Sequence, residues 1–121
     1  MTRDASNVVI GLDLGTSGLK AVATSVAGEI VARASATYPT MRPELQASEQ
    51  DPESWSVAVR SVVRELSEQV PTDRWLGIGL SAMIPTLVTT DESGTPVGAA
   101  ITWEDGRAEP QATALNADFV H

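Results

Sequence analysis

The stretch Gly11-Leu12-Asp13-Leu14-Gly15-Thr16-Ser17-Gly18-Leu19-Lys20 concentrates the residue types that handle phosphate. Gly15 and Gly18 let the backbone come close to an anion, and the Thr16 and Ser17 hydroxyls can donate to its oxygens. Lys20 supplies an opposing charge. Asp13 stands near the end of Val8–Leu14, an apolar run that reads as a strand covered on both faces. Burying a carboxylate there costs on the order of several kcal/mol unless something pairs with it. A divalent metal is the usual partner for a carboxylate beside a phosphate-sized turn. The set reads as a nucleotide phosphate clamp, with Asp13 towards the metal and Gly15, Thr16, Ser17 and Lys20 towards the phosphates. The plainer alternative is a hairpin whose Asp13 caps the turn, but such a hairpin has no need of Asp-x-Gly-Thr or of the distal Lys20.

Two better-known phosphate motifs do not fit. A P-loop needs four residues between its glycines, then Gly-Lys-Ser/Thr, and it opens a helix. Here Leu19-Lys20-Ala21-Val22-Ala23-Thr24 follows, rich in strand formers. The dinucleotide fingerprint fails as well, because Gly11, Gly15 and Gly18 are wrongly spaced and no helix start follows. A phosphate loop between two antiparallel strands remains. It resembles the first phosphate motif of the actin, hexokinase and heat-shock chaperone ATPase superfamily.

Composition narrows the partners. The 121 residues suffice for one core but not for two substantial domains. No apolar run approaches the roughly 20 residues of a membrane span, and the N-terminus shows no signal-peptide pattern. Without cysteine there are no disulfides or thiolate metal sites, and a cytoplasmic location is the default. The net charge of -8 argues against nucleic acid and anionic membrane as partners. A nucleotide must then be met by local devices: metal, backbone amides and Lys20.

The elements that position these residues can be read in order. Residues 1–7 are taken as a disordered tail. Strands are expected at Val8–Leu14, Leu19–Val26 and Ile30–Thr37, linked tightly enough to be an antiparallel meander, with a turn at Ala27-Gly28-Glu29. Tyr38–Gln50 reads as an irregular crossing. Asp51 suits an N-cap, Pro52 the first helical position and Glu53 the positive end of the helix dipole. Trp55, Ala58, Val59, Val62, Val63, Leu66 and Val70 then recur on one helical face until Pro71 stops it, and Trp55 reads as a core anchor. Trp75–Ala82 is apolar enough for the middle of a sheet. Thr86–Thr90, a turn at Asp91-Glu92-Ser93-Gly94, and Val97–Trp103 complete the reading. Meander, helix, then buried strand is the order of a ribonuclease H-like α/β domain.

Three stretches resemble the FGGY family of carbohydrate kinases: Gly11–Lys20, Ser48-Glu49-Gln50-Asp51-Pro52-Glu53-Ser54-Trp55, and Ala100-Ile101-Thr102-Trp103-Glu104-Asp105-Gly106-Arg107. The first two lean towards its xylulokinases. Together they reach from about Val8 to Leu115, and residues 8–121 are read as part of the family's N-terminal domain. The resemblance implies ATP-dependent phosphorylation of a sugar or polyol hydroxyl. Asp13 would hold the Mg²⁺ of MgATP, usually through water. Gly15, Thr16 and Ser17 would face the β- and γ-phosphates, with Lys20 as charge partner. Trp103, Asp105 and Arg107 would border or support the sugar pocket, the alternative for the last two being an ion pair that holds the loop.

Two departures stand out. Where the family places a polar sugar-binding pair, this chain has Ile84-Pro85 in an ungapped alignment, and a shift to Met83 finds no histidine. Met83, Ile84 and Pro85 are therefore kept as the substrate-side segment, with Ser81 and Thr86 as the nearest polar replacements. Family members are also several times longer. Their catalytic Asp, second phosphate motif and adenosine segment belong beyond His121, so no catalytic base is expected here and the 121 residues alone are expected to be inactive. Two other functions remain: a same-superfamily ATPase acting on a non-sugar substrate, and a non-catalytic nucleotide-binding or pairing module that associates through an exposed sheet edge.

Overall fold

The computed structural model describes residues 6–119, so residues 1–5 of the expected tail and His121 lie outside the description. The described chain forms two compact units. One takes in the residues up to Pro39 together with Glu53–Met83; the other comprises Thr40–Pro52 and the chain from Ile84 onward.

The first unit is built on a four-stranded mixed sheet in the order β3-β2-β1-β5. Strands β1 (Val8–Leu14), β2 (Gly18–Ser25) and β3 (Ile30–Thr37) form the antiparallel meander. Its second turn closes with Ser25 N–H donating to the Glu29 carbonyl at 2.8 Å, and Gly28 adopts φ +90° there. Helix α1 (Pro52–Gln69) begins at the expected proline and ends before Pro71. It lays Ala58, Val62 and Leu66 over Val8, Ile10, Leu12, Leu19, Ala21 and Ala23, with Trp55 packed against the same core. β5 (Trp75–Ala82) then lies parallel to β1.

Two expectations need correcting. β1 is covered on one face only: Val8, Ile10 and Leu12 are buried, but Val9 is 47% exposed and Asp13 is exposed with it. Alternation along the strand puts Val9, Gly11 and Asp13 on the face away from α1. The desolvation argument for Asp13 therefore falls away. β5 is also at an edge of the sheet rather than in its middle, and Leu76, Ile78 and Leu80 are exposed. Its apolar run reflects a strand whose faces lack cover among the described residues.

The second unit relies less on ladders. The crossing segment contributes the short β4 (Glu49–Gln50), antiparallel to β6 (Ala100–Ile101). The expected strands at Thr86–Thr90 and Val97–Trp103 shrink to β6 and to single bridges at Leu87–Ile101 and Thr90–Pro96. Pro85 and Pro96 have no N–H to give a ladder. The Asp91 turn forms as expected, its carboxylate accepting from Ser93 N–H and Thr95 N–H at 2.9 Å each, with its pKa held down by these bonds, that of the Ser93 hydroxyl first. Helix α2 (Glu109–Phe119), which the sequence reading did not anticipate, buries none of its residues.

Candidate functional site

The phosphate-type turn joins β1 to β2 inside the first unit. Gly15 N–H donates to the Gly18 carbonyl at 3.0 Å and closes it. The strand register sets Asp13 opposite Lys20 on β2 and beside Ser81 on β5, so all three belong to the face away from α1. A cavity of about 340 Å³ is lined by Asp13, Gly15, Thr16, Ser17, Gly18 and Lys20, with Ser35, Ala36 and Thr37 of β3 closing one side. The residues singled out in this stretch are thus brought together. Gly18 is required by space: a Cβ there would stand 2.5 Å from the Ala36 carbonyl oxygen. The turn is also tied to Tyr38, whose hydroxyl donates to the Gly15 carbonyl. Burial, and secondarily the charge of Asp13, hold the Tyr38 pKa above its ordinary value.

Trp103, Asp105 and Pro85 meet in the second unit, where they line a shallow cavity of about 400 Å³ with Thr86, Leu87, Ile101 and Thr102. Trp103 is 54% exposed. Ile84 is 84% exposed and does not line the cavity. Met83 belongs to the first unit, where its N–H donates to the Leu14 carbonyl at 3.0 Å, at the end of β1 that leads into the Gly15–Gly18 turn. Thr86 has its Oγ1 sealed from solvent with no hydrogen-bond partner among the described residues, so it does not present that atom to the cavity.

Asp105 and Arg107 are committed to one another. The Asp105 carboxylate accepts from Arg107 Nη2 at 2.8 Å and from the Ser48 N–H at 2.8 Å. These bonds, with the arginine contribution largest, hold its pKa down to about 2. Arg107 also reaches Glu49 at 2.8 Å and Glu44 at 3.2 Å, which keeps it firmly protonated. The arrangement ties the 44–49 segment to the 105–107 turn. Ser48 and Thr102 reinforce it through a buried hydroxyl pair at 2.7 Å. Glu44 and Glu49 are members of this network that sequence reasoning missed. Glu49 did lie within one of the three family-like stretches, and that was the available signal.

The family model described as the FGGY family of carbohydrate kinases, N-terminal domain, matches residues 8–120. The chain belongs to the FGGY family of carbohydrate kinases. Among FGGY relatives, it is 38% identical over 109 residues to the xylulose kinase of Lactococcus lactis subsp. lactis (strain IL1403), a match covering 88% of this chain and 22% of that protein. It is 33% identical over 114 residues to the gluconokinase of Bacillus subtilis (strain 168), covering 94% of this chain and 22% of the relative. The xylulose kinase structure from Rhodospirillum rubrum superposes with a TM-score of 0.86 at 29% identity, over 94% of this chain and 24% of that one. The fold is accordingly that of the actin and hexokinase superfamily. The chain spans less than a quarter of the length of these FGGY proteins.

Proposed function

We propose that this chain is the phosphate-binding opening segment of an ATP-dependent kinase that phosphorylates a hydroxyl of a sugar or polyol, with a xylulose-type ketose as the leading acceptor. The observation that carries the reading is the gathering of Asp13, Gly15, Thr16, Ser17 and Lys20 around one cavity at a glycine-bounded turn. Lys20 opposes the phosphate charge, while the backbone and hydroxyls of residues 15–17 meet the β- and γ-phosphates. Asp13 would hold the Mg²⁺ of MgATP. A single exposed carboxylate suits this ion, which nucleotide sites hold by one or two carboxylates plus phosphate oxygens. When bound, Mg²⁺ neutralises charge that develops on the phosphates during transfer.

Trp103 and Pro85 form an apolar wall on the acceptor side, and Asp105 with Arg107 supports it through the ion-pair network. Relatives named both xylulose kinase and gluconokinase support a carbohydrate acceptor. The net charge of -8 supports a small-molecule partner over nucleic acid or anionic lipid. Among the described residues no helix is long and apolar enough to cross a membrane, and with no cysteine in the chain we place the protein in the cytoplasm. The 121 residues alone are expected to bind MgATP weakly and to transfer nothing, because phosphoryl transfer needs groups placed on several sides at once.

The test is a graft in which residues 8–119 replace the matching stretch of the Lactococcus xylulose kinase. Coupled ADP release is then followed across ketoses, aldoses, polyols and sugar acids. Sugar-dependent release is expected, strongest with a ketose. A graft that melts cooperatively yet releases no ADP with any sugar overturns the reading.

One observation favours a second reading, a nucleotide-binding module that pairs with another chain. β5 is an edge strand with Leu76, Ile78 and Leu80 exposed, and such an edge is a template for association. Size-exclusion chromatography of the 121-residue chain, with and without MgATP, separates a monomeric nucleotide binder from an oligomer indifferent to nucleotide.

A further inference from the structure

Tyr38 follows β3 directly, and its ring belongs to the core of the first unit. A buried phenol must find an acceptor, and this one reaches back 23 residues to the Gly15 carbonyl. The residues just before it hold the other end of the same turn. Thr37 pairs with Gly18, and the missing Cβ of Gly18 admits the Ala36 carbonyl. Three consecutive residues of one strand end, 36 to 38, therefore grip the turn at both of its glycines.

The Gly15–Thr16 peptide is not among the cis bonds of the chain. In a planar trans peptide the carbonyl and the following N–H point in opposite directions. A Gly15 carbonyl drawn in towards Tyr38 therefore turns the Thr16 N–H to the opposite side of the peptide, and Thr16 lines the cavity shared with Asp13 and Lys20. We propose that Tyr38 is a positioning residue of the phosphate loop, whose hydroxyl fixes the Gly15–Thr16 peptide so that the Thr16 N–H is aimed at a bound nucleotide phosphate. The proposal rests on the phosphate-clamp reading of this loop, and it adds the group that fixes the orientation of one donor. A donor already oriented costs no reorganisation when the anion arrives. The hydroxyl suits the task because it must stay protonated to donate, and its surroundings resist ionisation.

The experiment uses the full 121-residue chain and its Tyr38→Phe variant, which keeps the ring and removes only the hydroxyl. Amide hydrogen exchange is read by NMR at Gly15, whose N–H closes the turn on the Gly18 carbonyl, and at Thr16, with Ala21 and Ala23 of β2 as fold controls. Without ligand, the Gly15 amide is expected to exchange about tenfold faster in the variant, as the turn loosens by about one hydrogen bond, with the controls unchanged. Adding MgATP should slow the Thr16 amide in the wild type and do so less in the variant. Equal loop exchange in the two proteins overturns the role of Tyr38. Faster exchange in the variant together with no protection by MgATP in the wild type overturns the phosphate reading and leaves the peptide clamp standing.

Discussion

The two units place their chemically interesting residues by opposite means. In the first, main-chain register does the work: β1, β2 and β5 set Asp13, Lys20 and Ser81 side by side, and the turn between them is shaped by Gly18 and Tyr38. The charged side chains there are exposed. In the second unit β4 and β6 are two residues each, and side chains carry the load: Arg107 joins Asp105, Glu49 and Glu44. The difference teaches where function and stability can be separated. A side chain that is placed by the backbone is free to act on a ligand, and its loss should leave the fold intact. One that does the placing is spent on structure, and its loss should be felt first as instability.

The largest expected effect tests the first half of that contrast. Asp13→Asn, in the grafted kinase, should lower turnover by about 10²-fold or more, as when a preorganised charge site is removed. The thermal midpoint should hardly move, because Asp13 is exposed. Turnover retained with a collapsed midpoint breaks the comparison outright. Gly18→Ala should come next. Its new Cβ would overlap the Ala36 carbonyl, and backbone cannot rotate away as a side chain can. A loss of about 1–3 kcal/mol in denaturant unfolding is expected, with weaker MgATP binding at the displaced turn. Undiminished stability would mean that the turn is looser than its contacts imply.

Arg107→Met probes the second unit. It leaves three carboxylates facing one another, one of them with a side chain only 6% exposed. The thermal midpoint should fall by on the order of 5 °C, while KM for MgATP stays put. A variant with an unchanged midpoint and a raised sugar KM would show that Arg107 serves the ligand directly. The smallest effect is a pH dependence. Asp105 is held at about 2 in the folded chain, below the ordinary 3.8, so its carboxylate form favours folding. That contribution is fully present above about pH 4 and is lost as the pH falls towards 2. Acid titration of stability should show this decline, and Arg107→Met should flatten it, since the arginine is the main cause of the shift.

Much of the first unit could be read from the chain because its signals are local. β1, β3 and β5 fall on the expected residues, and α1 starts and stops at the prolines that mark it. The gathering of Asp13, Gly15, Thr16, Ser17 and Lys20 at one cavity was legible for the same reason, since all of them lie within the ten residues Gly11–Lys20. What failed was the sense of cover. An apolar strand looks alike whether its neighbours are present or not, so β5 read as central and Asp13 as buried. α2 went unseen because Leu115 and Phe119 face solvent, and a helix that buries nothing has no period to find. The ion-pair network was hidden by distance, since Arg107 and Glu44 stand 63 residues apart and no spacing rule links them.

The pairing of β5 with β1 has a consequence for the chain as it is made. The meander that carries the Gly15–Gly18 turn is complete in sequence by Thr37, and its hairpins close over a few residues each. β1 must then wait for Trp75–Ala82 to be synthesised before its second edge is occupied. During translation, at roughly 5–20 residues per second, that edge stays open for several seconds. Nascent chains on neighbouring ribosomes could meet there, and a slow codon between Thr37 and Trp75 would lengthen the interval. Synonymous recoding of that stretch should therefore change soluble yield without changing a single residue of the protein.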